Sequence, residues 1–149
     1  MPITVAVISQ QTDRRQHVVR SINEVQDLLV VHQAEEAGSL RHLSIFPQVV
    51  LIGVSRLPRA NSSDRLWKTL SRILRDAPTT RLAVWFETAD DGATADLRSH
   101  GITGIVQWSD VKGNLWPQLT RTVSSGSEYW SRPFDTLDRR RPTSPGSAV

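Results

Sequence analysis

The chain contains no cysteine. That excludes a disulfide scaffold, a cysteine-ligated zinc site, an iron–sulfur cluster and a thiol nucleophile. Long apolar runs are missing as well. No stretch approaches the roughly 20 residues of a membrane helix, and Met1-Pro2-Ile3-Thr4-Val5 places no basic segment ahead of an apolar one. A soluble, cytoplasmic protein with no membrane partner is expected. The histidines His17, His32, His42 and His100 are scattered, without the spacing to an acid that a metal site needs. No Gly-x-Ser-x-Gly elbow occurs, and Gly101-Ile102-Thr103-Gly104 precedes a strand instead of opening a helix, so it is no phosphate loop. A large excess of one charge is also absent: 18 Lys and Arg stand against 15 Asp and Glu, and three of the arginines are Arg139, Arg140 and Arg141. A dedicated nucleic-acid domain carries a denser basic stripe. Direct nucleic-acid binding by this chain alone is therefore not expected.

What is present is a globular pattern. The 149 residues, 38% of them hydrophobic, make one domain of ordinary size, large enough to hold a core unaided. Ile3–Ile8, Leu28–Val31, Val49–Ile52, Arg81–Phe86 and Gly104–Gln107 are short apolar, β-branched runs that read as strands. Between and after them lie segments of helical period. These are Asp13–Val25, a short Ala37–Ser44 with Leu40 and Leu43 inward, a segment through Arg75 capped by Ser62 or Ser63, Ala89–His100 closed by Gly101, and Val111–Ser124 with Pro117 in its first turns. Five βα units in series predict a three-layer α/β/α sandwich around a parallel sheet. From Ser131 the composition shifts to Arg, Pro, Ser, Thr and Gly, which sets a domain at residues 1–130 and a disordered tail or linker at 131–149. Truncation after Arg132 is then expected to leave thermal stability nearly intact.

Several segments resemble the receiver domain of bacterial response regulators. Pro47-Gln48-Val49-Val50-Leu51-Ile52 is similar to the lead-in to the phosphoacceptor strand, and Leu57-Pro58 to the hydrophobe-proline after it. Gly101–Val106 resembles the approach to the fifth strand, and Gly126–Arg132 the segment that ends receivers of LuxR-type regulators. The likeness covers roughly residues 3–132 and implies a flavodoxin-like, five-stranded sheet of order 2-1-3-4-5.

Receiver chemistry needs carboxylates that hold Mg²⁺, an aspartate that accepts the phosphoryl group, and a hydroxyl and an ammonium that contact it. The resemblance puts Ser9 and Gln10 at the metal-binding pair. Gly53 takes the phosphoacceptor position, or Val54 with a one-residue shift; Glu87 takes the hydroxyl position, with Thr88 beside it, and Trp108 the lysine position. Each has lost the required group, so no metal and no cofactor is expected. Asp13 reads as an N-cap or first-turn acid, Asp90-Asp91 as the opening of the fourth helix, and Glu87 as a rim residue paired with an arginine such as Arg56.

The resemblance implies a phosphorylation-independent pseudo-receiver: a regulatory interaction module and no enzyme, dimerising through the fourth helix, fifth strand and fifth helix. That face would include Leu97, Arg98, Ile105, Gln107, Trp116, Leu119 and Arg121. Trp108 and Trp116 are either aromatic anchors or packing residues; Trp67 and Trp85 fall on apolar faces as core. If the chain is part of a longer regulator, the Arg/Pro-rich end links it to an output domain. The alternatives are a flavodoxin-like ligand- or nucleotide-binding protein or enzyme, its site around Ser9, Gln10, Gly53 and Glu87, and a scaffold with no small-molecule site.

Overall fold

The computed structural model describes residues 2–137, so of the tail or linker expected at 131–149 the part from residue 138 lies outside the described residues. The chain runs β1 (Ile3–Ser9), α1 (Thr12–Asn23), β2 (Leu28–Ala34), β3 (Val49–Leu57), α2 (Arg65–Asp76), β4 (Arg81–Ala89), α3 (Ala93–Ser99), β5 (Gly104–Gln107), α4 (Leu115–Ser124) and β6 (Tyr129–Trp130). Short 3-10 turns occupy Ala37–His42, Trp108–Asp110 and Phe134–Thr136. All pairings are parallel, in the order β2-β1-β3-β4-β5-β6. The expected order holds, with a sixth strand added at the β5 edge.

Side chains alternate across the strands and feed two cores. Val5, Val7, Leu51, Ala83, Trp85 and Val106 pack with Val18 and Ile22 of α1 and with Trp116, Leu119 and Val123 of α4. Ala6, Ile8, Val50, Ile52, Val84 and Phe86 pack on the other face with α2 and α3. Trp67 and Trp85 are core, as their apolar spacing predicts. Among the described residues no helix is long and apolar enough to cross a membrane.

Several boundaries differ from expectation, each for a local reason. The second predicted helix is a six-residue 3-10 turn, since Gly38 and Ser39 are poor helix formers in so short a segment. It still buries Leu40. β3 and β4 run past their apolar stretches because Arg56 pairs with Thr88 and Leu57 with Ala89, beyond polar residues such as Ser55 and Glu87 that interrupt the hydrophobic run. The α2 cap is Asp64, whose carboxylate accepts the Leu66 amide at 2.9 Å; Ser62 instead accepts the Asp64 amide at 3.3 Å. α3 starts after Gly92, at φ 84°, rather than at Asp90-Asp91. Gly101, at φ 86°, closes it in the expected left-handed conformation.

The segment after β6 is part of the domain. Leu137 is only 1% exposed and joins the core beside α2 and α3, while the Phe134 ring lies 5.0 Å from that of Trp130. Phe134 and Leu137 are three residues apart on a 3-10 turn, which puts both on one side. The boundary drawn at residue 130 therefore moves out to at least Leu137.

Candidate functional site

Parallel sheets of this kind place their sites at the carboxyl ends of the strands. Ser9 ends β1 and lies opposite Gly53 of β3, which lies opposite Trp85 of β4. Glu87 stands two residues further along β4, and Trp108 follows β5 directly. The fold thus gathers four of the sequence-predicted site positions at one rim, with Gln10 next to Ser9.

Gln10 is exposed, and the other four are each committed to a local contact. Ser9, 2% exposed, accepts the Gln11 amide on its hydroxyl at 3.1 Å, and its carbonyl accepts Arg15 Nη1 at 2.6 Å. Gly53 lies flat under the Trp85 indole: a Cβ there would overlap the ring at Cε2 and Nε1. Glu87 accepts Gln11 Nε2 at 2.6 Å and pairs with Arg14 at 3.1 Å, and its carbonyl accepts Gln107 Nε2 at 3.3 Å. Its expected partner Arg56 instead grips Asp90 through two 2.9 Å hydrogen bonds. Asp13 is the first-turn acid of α1, which Gln11 precedes as cap residue.

Trp108 caps an aromatic cluster. Its ring centroid lies 6.0 Å from those of both Trp85 and Trp116 and 5.6 Å from that of His17, and the Trp85 and Trp116 rings are 5.4 Å apart. The Arg14 guanidinium sits 4.7 Å over the Trp108 ring while holding Glu87. Such a cation–π contact contributes about 0.5–2 kcal/mol. Of the two readings open for each of these tryptophans, packing is the one realised: Trp116 is 1% exposed, and Trp108 is half-buried in the cluster. One cation, one carboxylate and three indoles fill this half of the rim. Among the described residues no group of three or more His, Asp or Glu could hold a metal ion. Gln11 and Arg14 were not singled out from sequence, because nothing in their spacing ties the first turn of α1 to β4.

The other half of the rim is open. A cleft of about 440 Å³ lies where the strand order reverses between β1 and β3, lined by Ser9, Gln10, Gly53, Val54, Glu36 and Thr69 among others.

The expected interaction face is largely internal. Leu97, Ile105 and Leu119 are fully buried and Trp116 nearly so, because these positions point into the two cores. Gln107 binds the Glu87 carbonyl, and Arg121 clamps Asp27 at 2.7 and 2.8 Å. Arg98 pairs with Glu128 at 3.3 Å and lies 4.8 Å over both the Trp130 and Phe134 rings. The outer edge of β5 is taken by the chain itself, through Tyr129 N to Thr103 O at 2.8 Å and Ser131 N to Ile105 O at 3.0 Å. Asp110 locks the segment in place, accepting the Ser131 hydroxyl at 2.7 Å and Arg132 at 2.8 and 2.6 Å. Burial works against ionisation of Asp110, but the bonds from Arg132 and Ser131 prevail and hold its carboxyl below the usual value.

No protein-family model and no curated protein matches the chain. Solved structures do. The isolated receiver domain of RcsB from Salmonella enterica serovar Typhimurium, in the presence of the phosphomimetic BeF3-, is similar with a TM-score of 0.73 at 15% identity, over 93% of this chain and 100% of that one. A LuxR-family two-component response regulator from Aurantimonas sp. SI85-9A1 gives 0.70 at 15% identity, over 92% and 95%. A structure of two RcsB dimers bound to two parallel DNAs gives 0.71 at 15% identity, over 87% of this chain but 64% of that longer one. At such identity the likeness speaks for architecture, and with the strand order and layers described above it leads to one conclusion: this chain has the receiver fold of response regulators.

Proposed function

We propose that the chain is a regulatory module that keeps the receiver fold and works without phosphorylation, as an interaction unit in signal transduction or transcription control. The observation that carries the reading is Gly53 beneath the Trp85 ring. The resemblance puts the phosphoacceptor there, and the space its side chain would need is filled. Arg14, paired with Glu87, supplies a fixed positive charge at a rim where receiver chemistry uses a divalent cation. The module carries no catalytic step of its own.

The test adds Mg²⁺ with beryllofluoride or acetyl phosphate and reads amide NMR shifts. The spectrum stays unchanged; shifts confined to Ser9, Gly53 and Glu87 overturn the reading. Gly53→Asp alone does not restore the response. It costs on the order of 3 kcal/mol, because the new side chain meets the indole and buries a charge.

A homodimer belongs to this reading, as RcsB dimers occur in one structural neighbour. The covered β5 edge argues against the face expected from the resemblance. The exposed large apolar side chains among the described residues are Leu29 and Val31 on β2 and Ile45 after the 3-10 turn, so the β2 edge is the surface left for it.

The β1/β3 cleft favours a second reading, a small-molecule receptor. Thermal-shift screening with flavins and nucleotides separates the two. Saturable stabilisation, lost in a Ser55→Trp or Thr69→Trp variant that fills the cleft, supports the receptor.

A further inference from the structure

The cationic side chains of α2 fall on one face. Arg65, Lys68, Arg72 and Arg75 are all exposed, at spacings of three, four and three residues. At 100° per residue they lie within an arc of roughly 80°, spread over about 15 Å of helix. The opposite face buries Leu66, Trp67, Leu70 and Ile73, so the helix is anchored and the charges point to solvent. Arg41, from the 3-10 turn, extends the row: it lines a small dimple together with Arg72 and Asp76.

The charges are largely free to engage a ligand. Among the described residues Lys68, Arg72 and Arg41 have no carboxylate partner within ion-pair distance; Arg41 donates to the Gly38 carbonyl of its own turn at 3.1 Å. Arg65 meets Glu36 at 3.0 Å and Arg75 meets Asp76 at 3.2 Å, in pairs whose side chains are half or more exposed. Pairs so exposed contribute about 0–1 kcal/mol and exchange readily. Asp64, next to Arg65 in the chain, is committed to the helix cap.

We propose that this face of α2, with Arg41, binds the phosphate backbone of a nucleic-acid duplex without sequence preference. Four of the five cations are arginines, whose forked donors match phosphate. The row presents charge and no apolar anchor, since none of the exposed large hydrophobics lies on α2. Protein interfaces draw their energy from buried aromatic or aliphatic anchors, whereas duplex backbone binding draws on cation–phosphate contacts and counterion release. The low overall charge hides the row, because acids elsewhere in the chain offset it.

Fluorescence anisotropy of the full chain with a labelled 20-base-pair DNA duplex of arbitrary sequence tests this. Four to five phosphate contacts give a log–log salt slope of about −4, and about a 10²-fold loss of affinity between 50 and 200 mM NaCl. Lys68→Gln/Arg72→Gln reduces the slope by about 2 and affinity at least tenfold. Its melting temperature stays unchanged, because both side chains are exposed. Lys68→Glu/Arg72→Glu abolishes binding. A tail variant, Arg139→Ser/Arg140→Ser/Arg141→Ser, keeps most of the affinity. The proposal falls if no duplex binds at 50 mM salt, or if the tail variant abolishes binding while the α2 variants do not. It also falls if a polyglutamate peptide binds and the duplex does not, which assigns the face to an acidic protein.

Discussion

At one edge of the sheet β2 presents seven residues, with Leu29 46% and Val31 42% exposed and an outer ladder that no described strand pairs. At the other, β5 has only four residues, and β6 with the following turn covers it. Leu29 pairs with Thr4, on the side of the sheet that carries Ala6 and Ile8, where the β2–β3 connection supplies only a 3-10 turn. The β5 edge instead receives Arg98 between two rings, two ion pairs and a buried leucine. Edge strands invite pairing with other chains unless something blocks them. The resemblance points to the β5 side for association, yet that side is satisfied from within and the β2 side is not.

The largest effect that could break this contrast comes from truncation after Arg132. It removes Phe134 and Leu137 and leaves a leucine-sized hole beside α2 and α3. A buried leucine lost in this way costs about 2–5 kcal/mol. At this chain length that lowers the melting temperature by roughly 10 °C. Leu137→Ala gives most of the same drop. An unchanged melting curve would mean that the cover contributes nothing and that the two edges differ only in appearance.

A smaller effect isolates the clasp. Asp110 binds Ser131 and Arg132, and these bonds hold its carboxyl below the ordinary aspartate value. A depressed carboxylate stabilises the fold fully above its unfolded value and loses that contribution as pH falls through its folded value. The protection of the Tyr129–Arg132 amides, taken as exchange relative to the intrinsic rate at each pH, should therefore stay high at pH 5 and fall below about pH 4. Asp110→Asn should show faster exchange already at pH 5, at a cost of roughly 1–2 kcal/mol from the lost charge-assisted bonds. Protection of these amides that stays high across the range in both proteins would show that Asp110 does not hold the segment.

The architecture was legible because apolar runs and helical stripes alternate five times, and the strand order follows from the receiver resemblance. The sixth strand was not. Tyr129 and Trp130 form a two-residue strand, too short for any periodicity, held by neighbours supplied by β5. Leu137 was hidden by a polar stretch, since one leucine three residues from one phenylalanine gives no pattern. At the rim, the loss of receiver chemistry could be read position by position from Ser9, Gln10, Gly53, Glu87 and Trp108. What replaced it could not, because Arg14 reaches Glu87 across 72 intervening positions, a distance only the fold closes. The face assigned to Leu97, Ile105 and Leu119 failed for a related reason. A helical or strand stripe marks apolar residues without saying whether the molecule or its partner covers them.

The smallest effect on stability carries the sharpest test of the open edge. Leu29→Lys/Val31→Lys replaces two exposed side chains, and surface changes of this kind stay within about 0.5 kcal/mol each. Lysines on an edge strand nonetheless oppose pairing, since two copies would bring like charges together. Light scattering over a concentration series should show a dimer for the parent chain and a monomer for this variant, with melting curves that nearly coincide. The matching change at the other edge, Arg98→Ala, should loosen the clasp and leave the mass unchanged. If instead the lysine variant stays dimeric and Arg98→Ala gives a monomer, the covered edge is the one through which copies associate, and its cover is part of the interface.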